Sequence, residues 1–470
     1  MTMYHLSKLG LCLTLALGLG ACSQQSSYQR QDLALADHWQ QPDDGLTQQQ
    51  AGLWWQGFHD PELDRLIEAV LAANPDMQVA GLRLRSALLG ADLADTNLTP
   101  SVNAGISGNG TKDLNSGKAS GSMGPSLTLS YEVDLWGRLA SIRDQASWEA
   151  EASAQDLAAT RLMLIGKALE QYWQLAYLGS AITLGQQQLA NYERAEQLTQ
   201  AKYRAGAVTR LDLVQASQQK AGKQAELSSL LMQQEQARNA LRLLLGRSSG
   251  SLAFEPKALP TAPIPTLAVG IPADVLARRP DVRAAELRLR KTLAKGDEIR
   301  TGFYPTLSLT GGASSSSDTL TQVLQNPVGT LGATLALPFL EYNKTRLAIA
   351  GSKLDYQIAE AEFRKQLYSA LVEVEDGLAA RHHSEQRLSY LAEQLDFAKE
   401  AERLARARYQ AGATGVQPWL DEQNRLWDAE LALLGQQKEQ LNTMARIYKA
   451  LGAAIAAELP CLMPSHRARA

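Results

Sequence analysis

Two hydrophobic periods share the chain. Apolar residues recur at Leu162, Ile165, Leu169, Tyr172, Leu175, Leu178, Ile182, Leu189 and Tyr192, the one-sided stripe of a helix. No proline interrupts Trp136 to Arg204. The pattern predicts a helix there and a second over Arg210 to Leu245, with counterparts over Asn343 to Gln410 and Trp419 to Leu451. At 1.5 Å per residue, a helix of about 68 residues runs roughly 100 Å, far beyond a globular helix. Abundant Ala, Ser and Gly allow close helix approach, as in a coiled-coil wall. A soluble coiled-coil rod fits the same pattern.

Elsewhere the period is two. Val102, Ala104 and Ile106 alternate with Ser101, Asn103 and Ser107; Leu127, Leu129, Tyr131, Val133 and Leu135 alternate with Ser126, Thr128, Ser130, Glu132 and Asp134. Leu307 and Leu309 oppose Thr306 and Ser308; Leu331, Ala333, Leu335, Leu337 and Phe339 oppose Thr330, Gly332, Thr334 and Ala336. Strands are expected at about 101–110, 125–135, 305–314 and 328–340, each near the length of a transmembrane β-strand. Thr111–Met123 and Ser314–Asn326 read as polar outward loops. Tyr131, Trp136, Phe303, Tyr304, Phe339 and Tyr342 gather near one end of these strands, as an interfacial girdle would. A half-buried soluble sheet alternates identically. If the strands span a membrane, four cannot close, because small membrane barrels begin at about eight. The chain would then oligomerise, as two, three or four subunits.

The chain is written twice. Asn74–Arg85, NPDMQVAGLRLR, returns 205 positions later as Arg279–Arg290, RPDVRAAELRLR, and the match runs through Asp92/Asp297 and Thr96/Thr301 to Pro100/Pro305. AKYRAGA (Ala201–Ala207) returns 206 positions later as ARYQAGA (Ala407–Ala413). Each copy orders a helix, two strands and a pair of long helices. Pro75 and Pro280 suit a first helical turn, with an aspartate following at the positive end of the helix dipole. Gly206 and Gly412 suit left-handed caps. Thr209 with Asp212 forms a variant capping box. Pro418 suits a first helical position, with Asp421 and Glu422 near the dipole's positive end. The helices therefore fold back as hairpins.

Composition removes other functions. Lys and Arg total 46 against 49 Asp and Glu, a net charge of −3, which excludes a chain-wide phosphate-binding surface; no nucleic-acid partner is expected. Three cysteines exclude a disulfide scaffold and six scattered histidines leave little for a metal. His382 and His383 are helix neighbours that do not face each other. Ser314–Ser317 is a loop tract, no G-x-S-x-G occurs, and no cofactor is expected. A lipoprotein hydrolase is disfavoured by the lack of a convergent acid, base and nucleophile.

At the N-terminus, Lys8 precedes a short apolar run, Leu9–Gly20, too short to span as a helix and fitting a signal peptide. Leu19-Gly20-Ala21-Cys22 resembles the bacterial lipobox, which implies cleavage before Cys22 and diacylation of its thiol. Ser23, in place of aspartate, implies outer-membrane retention. The reading divides the chain into a signal peptide (1–21), a lipidated segment (22–60), a first repeat (61–245), a linker rich in Pro, Ser and Gly (246–278), a second repeat (279–455) and a C-terminal tail (456–470) with the lone Cys461.

WWQGFHDPELDRLI (Trp54–Ile67), YEVDLWGR (Tyr131–Arg138), LLLGR (Leu243–Arg247), ARRPDVRAAELRLR (Ala277–Arg290) and YKALG (Tyr448–Gly452) together resemble segments of the TolC/OprM outer-membrane efflux factors, specifically their NodT-like lipoprotein branch. The resemblance implies a mainly α protein with membrane β-structure. Three chains with four strands each would form one transmembrane β-barrel, continued by a long periplasmic α-helical barrel. It implies a passive exit duct, not an enzyme, lipid-anchored on the periplasmic side of the outer membrane. Its partners would be a periplasmic adaptor and an inner-membrane RND-type pump. The family's Y-x-x-G turns, which receive the adaptor, fall on Tyr203/Gly206 and Tyr409/Gly412. Its aperture aspartate falls on Asp421, with Gln417 replacing an apolar residue and Gln215 standing at the equivalent place in copy one. The family's C-terminal Gly-Gly-Trp is replaced by Ala453-Ala454-Ile455. The alternative is a structural coiled-coil lipoprotein without a channel.

Overall fold

The computed structural model describes residues 25–29, 39–40, 53–256, 258–260, 277–318, 325 and 327–452. The signal peptide, Cys22, Ala453-Ala454-Ile455, Cys461 and the C-terminal tail lie outside them. A 3₁₀ turn, Trp54–Phe58, leads to α1 (Pro61–Ala73) and α2 (Pro75–Thr96). Then come β1 (Ser101–Lys112), β2 (Ala119–Val133), α3 (Arg138–Arg204) and α4 (Arg210–Leu244). The second copy supplies α5 (Pro280–Thr301), β3 (Thr306–Ser315), β4 (Pro327–Ala336), a 3₁₀ turn (Pro338–Leu340), α6 (Tyr342–Gln410) and α7 (Gln417–Ala450). The chain divides into two compact units.

The first unit holds the sheet and the helix segments flanking it, within Leu82–Gln155 and Arg283–Gln366, with residues 25–29. The strands run in chain order, β1-β2-β3-β4, every pair antiparallel. Directly paired residues share a face, and the registers align all the apolar rows. Leu129 pairs with Val102 and with Gly311, which pairs with Leu331. Val133 pairs with Leu307, and Leu307 with Leu335. Thr128 stands between Asn103 and Gly312, and Ser308 between Glu132 and Thr334. One face is thus continuously apolar, yet it is exposed: Ile106 is 86% and Leu331 96% accessible. A soluble sheet buries such a face. Among the described residues, β1 and β4 each have one unpaired edge.

The first hairpin is longer than its sequence predicts. β1 reaches Lys112 and β2 begins at Ala119, so the loop is Asp113–Lys118, not Thr111–Met123. The Asp113 carboxylate accepts from Asn115 N (2.8 Å) and Ser116 N (3.1 Å), and the Thr111 and Ser120 hydroxyls meet at 2.8 Å across the strands. β4 is shorter than expected and ends at Ala336. Pro338, with no N–H to offer a ladder, instead opens the 3₁₀ turn.

YEVDLWGR builds the joint from β2 to α3. Asp134 accepts from Leu139 N (3.1 Å) and Ala140 N (2.8 Å), while Arg138 grips Glu132 at 2.8 and 2.9 Å. Trp136 Nε1 donates to Pro305 O at 2.8 Å, and its ring meets Tyr304 edge-on at 5.3 Å. Phe339 and Tyr342, at the joint from β4 to α6, are exposed.

The second unit lies within Ala34–Gly81, Asp156–Val282 and Leu367–Ala470. Sequence patterning missed its first pieces, the 3₁₀ turn and α1. Asp60 caps α1 by accepting from Glu62 N and Leu63 N, and Pro61 starts it. Asn74 caps α2 through Asp76 N at 2.8 Å while its amide donates to Leu244 O at 2.9 Å. Leu63, Leu66, Ile67 and Val70 are buried with Trp54, Trp55 and Phe58 in the main core. Trp54 stacks on Tyr448 at 4.7 Å, and Phe58 meets Trp173 at 5.0 Å. Within the stretch read as linker, Leu259 is buried in this core and Phe254 packs against it. Arg279 is buried and bonds Asp281, Glu373 and Ala450 O, tying the start of α5 and the end of α7 to the middle of α6.

Candidate functional site

The hairpin tips of the second unit carry the residues singled out by sequence. Both Y-x-x-G turns close identically. Gly206 and Gly412 have φ of 72° and 74°. Ala207 N donates to Lys202 O at 2.9 Å and Ala413 N to Arg408 O at 3.0 Å, the six-to-one bond of a left-handed cap. A side chain in place of either glycine would strain that backbone.

The two tyrosines, alike in sequence, differ in surroundings. Tyr203 is 41% exposed and Tyr409 1%. Tyr409 stacks on Trp419 at 5.3 Å, shares a 3.1 Å hydrogen bond with Thr199 and lies under Lys202 Nζ, 3.9 Å from the ring centre. Lys202 Nζ also donates to Tyr409 O at 3.1 Å. Trp419 Nε1 donates to buried Glu402 at 2.9 Å, which Arg406 holds at 2.8 Å. Tyr192 donates to Asn424 Oδ1 at 2.9 Å, and Asn424 Nδ2 to Gln219 Oε1 at 3.2 Å. Burial first, then the carboxylates of Glu226, Asp428 and Asp421, push the Tyr192 phenol well above its ordinary range, so it stays a neutral donor. Sequence reading names Tyr409 and misses its partners. Trp419, beside the turn, was their one visible sign.

Asp421 and Gln417 come together: Gln417 Nε2 donates to Asp421 Oδ1 at 2.6 Å. α7 begins at Gln417, with Pro418 its second residue and no acidic residue in its first turn. Pro418 is therefore not first, and Asp421 is too far along to cap the helix. Its partner is a side chain rather than the helix-start amides.

Thr209 and Asp212 cap α4 reciprocally: Thr209 N and Oγ1 donate to Asp212 Oδ2 at 2.8 and 2.6 Å, and Asp212 N to Thr209 Oγ1 at 3.3 Å. The Thr209 hydroxyl, followed by its backbone N–H, holds the Asp212 carboxyl below its usual range. Thr209→Ala is expected to cost about 1 kcal/mol of local stability, seen as faster hydrogen exchange in the first turn of α4. A lowered carboxylate contributes stability above its unfolded pKa and loses it as pH falls through the folded one. The mutational effect should therefore shrink on acidification below the ordinary carboxylate range.

No cluster of three or more His, Cys, Asp or Glu able to hold a metal occurs among the described residues, and none of their helices is long and apolar enough to cross a membrane. His382 and His383 rings meet edge-on at 5.3 Å. What the tips offer is a set of hydrogen-bonded and stacked ties between helical hairpins, together with the Asp421 carboxylate held by Gln417.

The profile of the family described as outer membrane efflux protein matches residues 66–247 and again 271–453, one match on each copy. The chain is 32% identical over 470 residues to the pyoverdine export outer membrane protein OpmQ of Pseudomonas putida, covering 96% of this chain and 98% of that one. It resembles the outer-membrane channel OprN with a TM-score of 0.84 at 27% identity, covering 92% of this chain and 99% of that one. With the open-state Neisseria gonorrhoeae outer membrane channel MtrE the TM-score is 0.80 at 28% identity, covering 92% and 98%. Sheet, long helices and a doubled family match agree: the chain belongs to the outer membrane efflux proteins of the TolC/OprM type.

Proposed function

We propose that this chain is the outer-membrane exit duct of a tripartite efflux system, passively passing small molecules driven by an inner-membrane RND-type pump through a periplasmic adaptor. The observation that carries the reading is the sheet, with its exposed apolar face, its opposite Ser/Thr/Gly face and two open edges. In lipid every edge must be paired, and three such sheets make twelve strands around a polar lumen. Exposed leucines flank both edges: Leu82, Leu89 and Leu93 on α2, which leads into β1, and Leu347 and Leu354 on α6, which follows β4. They are the surface a neighbouring protomer covers when the ring closes. The helices continue the barrel as a periplasmic tunnel. Heat-resistant trimers in detergent that conduct ions in a planar bilayer support the duct; trimers that never conduct leave only a structural role.

The finer assignments belong to the same proposal. Tyr203/Gly206 and Tyr409/Gly412 mark the turns that receive the adaptor, Tyr203 by its exposed ring and Tyr409 by shaping its turn from within. Asp421, held by Gln417, lines the periplasmic gate. The chain is of the NodT-like lipoprotein branch, acylated at Cys22, because Leu19-Gly20-Ala21-Cys22 supplies the acceptor thiol. Cys22→Ser is expected to abolish fatty-acid labelling; undiminished labelling sinks the lipobox reading.

A further inference from the structure

Residues 25–29 do not trail away from the first unit; they lie across α5. Ser26 N donates to Asp297 Oδ2 and the Ser26 hydroxyl to Asp297 Oδ1, both at 2.7 Å. One carboxylate thus takes both donors of one residue, a two-point grip of the stronger, charge-assisted kind. Asp297 is only 5% exposed and is steadied by Arg300 at 2.8 Å, one turn on. On the flanks, Gln25 Nε2 reaches Asp144 on α3 at 3.3 Å. Arg290 lies over the rings of both Tyr28 (4.7 Å) and Trp148 (5.3 Å), a stacking worth most when partly desolvated. Burial, and then the Glu286 carboxylate, push the Tyr28 phenol up to about 12, so Tyr28 remains uncharged under Arg290.

The duplication provides an internal control. Asp92 occupies the same place in copy one, at the same offset of 205. It is exposed, and among the described residues it has no hydrogen-bond or ion-pair partner. There is one N-terminus for two copies, and only the copy-two aspartate is engaged.

The location has a meaning. Asp297 is four residues before Thr301, the end of α5, or about 6 Å along the helix. Beyond it come Tyr304, its partner Trp136 and the start of β3. In the other direction, Gln25 follows Cys22 by three residues, which reach about 10 Å at most.

We propose that Asp297 and Arg290 form a docking site for the chain's own N-terminal segment, and that this strap seats the lipid anchor at one place on each protomer, beside the aromatic joint where helices meet strands. The anchoring role rests on Cys22 being acylated; the docking does not. A docked strap holds the acyl chains at a fixed height on the protein, where a loose leader would sample a wide volume.

The test is a spin label at Ser27→Cys in a Cys461→Ser background, on full-length trimers in detergent, where no bilayer restrains the segment. The expected result is a slow label, with rotation quickening several-fold in Asp297→Asn. Ser26→Pro, which removes both donors without touching a helix, should quicken it as much, so a folding defect at Asp297 cannot mimic the outcome. Asp92→Asn should leave the label slow. A label that is fast in the unaltered strap, or equally slow after Ser26→Pro, overturns the docking site. Fatty-acid labelling of the otherwise unaltered chain reads the anchor separately, and the spin label is read again with Cys22→Ser, which leaves no second thiol in the mature chain: a slow, Asp297-dependent label there, with no fatty acid on the unaltered chain, keeps the docking and removes its anchoring role.

Discussion

Leu129→Arg is expected to abolish assembly into the outer membrane, Leu335→Arg to reduce it, and Thr128→Arg and Thr334→Arg to be tolerated. The register decides which side chain meets lipid. Leu129 shares its row with Val102 and Leu331, and Leu335 with Leu307 and Val133. The threonines lie on the opposite face, toward water. An arginine facing lipid costs about 2–4 kcal/mol at the midplane and about 0–1 kcal/mol near an interface. Leu129 is four residues inside the end of β2 at Val133, whereas Leu335 is one from the end of β4 at Ala336, beside the exposed Phe339 and Tyr342. The graded cost predicts the graded defect. Three copies of Leu129→Arg would cost roughly 6–12 kcal/mol per ring, as much as the whole stability of an ordinary domain. Heat-resistant trimer in outer-membrane fractions is the measurement. Equal assembly of all four variants would falsify the assignment of faces.

The second large effect belongs to the gate. On the proposed gate reading, three Asp421 carboxylates of a trimer would make a negative constriction near the axis. Each has one oxygen occupied by Gln417 of its own chain at 2.6 Å, and the charge stays on the carboxylate. Like charges at short range repel, so Asp421→Ala should lower cation preference and raise single-channel conductance. Folding should change little, because the dipole's influence fades beyond the first turn and Asp421 is the fifth residue of α7. Asp421→Asn separates charge from shape. Unchanged cation selectivity in Asn trimers recorded in a planar bilayer would sink the electrostatic gate.

Much of this architecture was legible because punctuation and period agreed. Pro75 and Pro280 begin their helices, Gly206 and Gly412 end theirs, and Thr209 with Asp212 forms the capping box the spacing anticipates. The illegible parts have definite causes. β2 starts at Ala119 amid Ser and Gly, a composition that reads as loop until cross-strand hydroxyl pairs hold it as strand. α1 has apolar residues at helical spacing but precedes Asn74, where the match between the two copies begins. The two Y-x-x-G turns are nearly identical in sequence, yet copy two offers Trp419 to its tyrosine where copy one, 206 positions earlier, has Leu213. The Ser26 contact with Asp297 joins residues 271 apart, and no local pattern foretells such a pair.

The open edges of the sheet also have a consequence in genetics. A ring that closes only when every protomer offers two sound edges has no spare part. Where normal and defective chains are made in equal amounts and mix freely, only about one ring in eight is wholly normal. An edge defect that still permits entry into the ring would therefore be inherited as dominant, whereas one that blocks entry would be recessive. The severity of an allele then depends on how far its product travels before it fails.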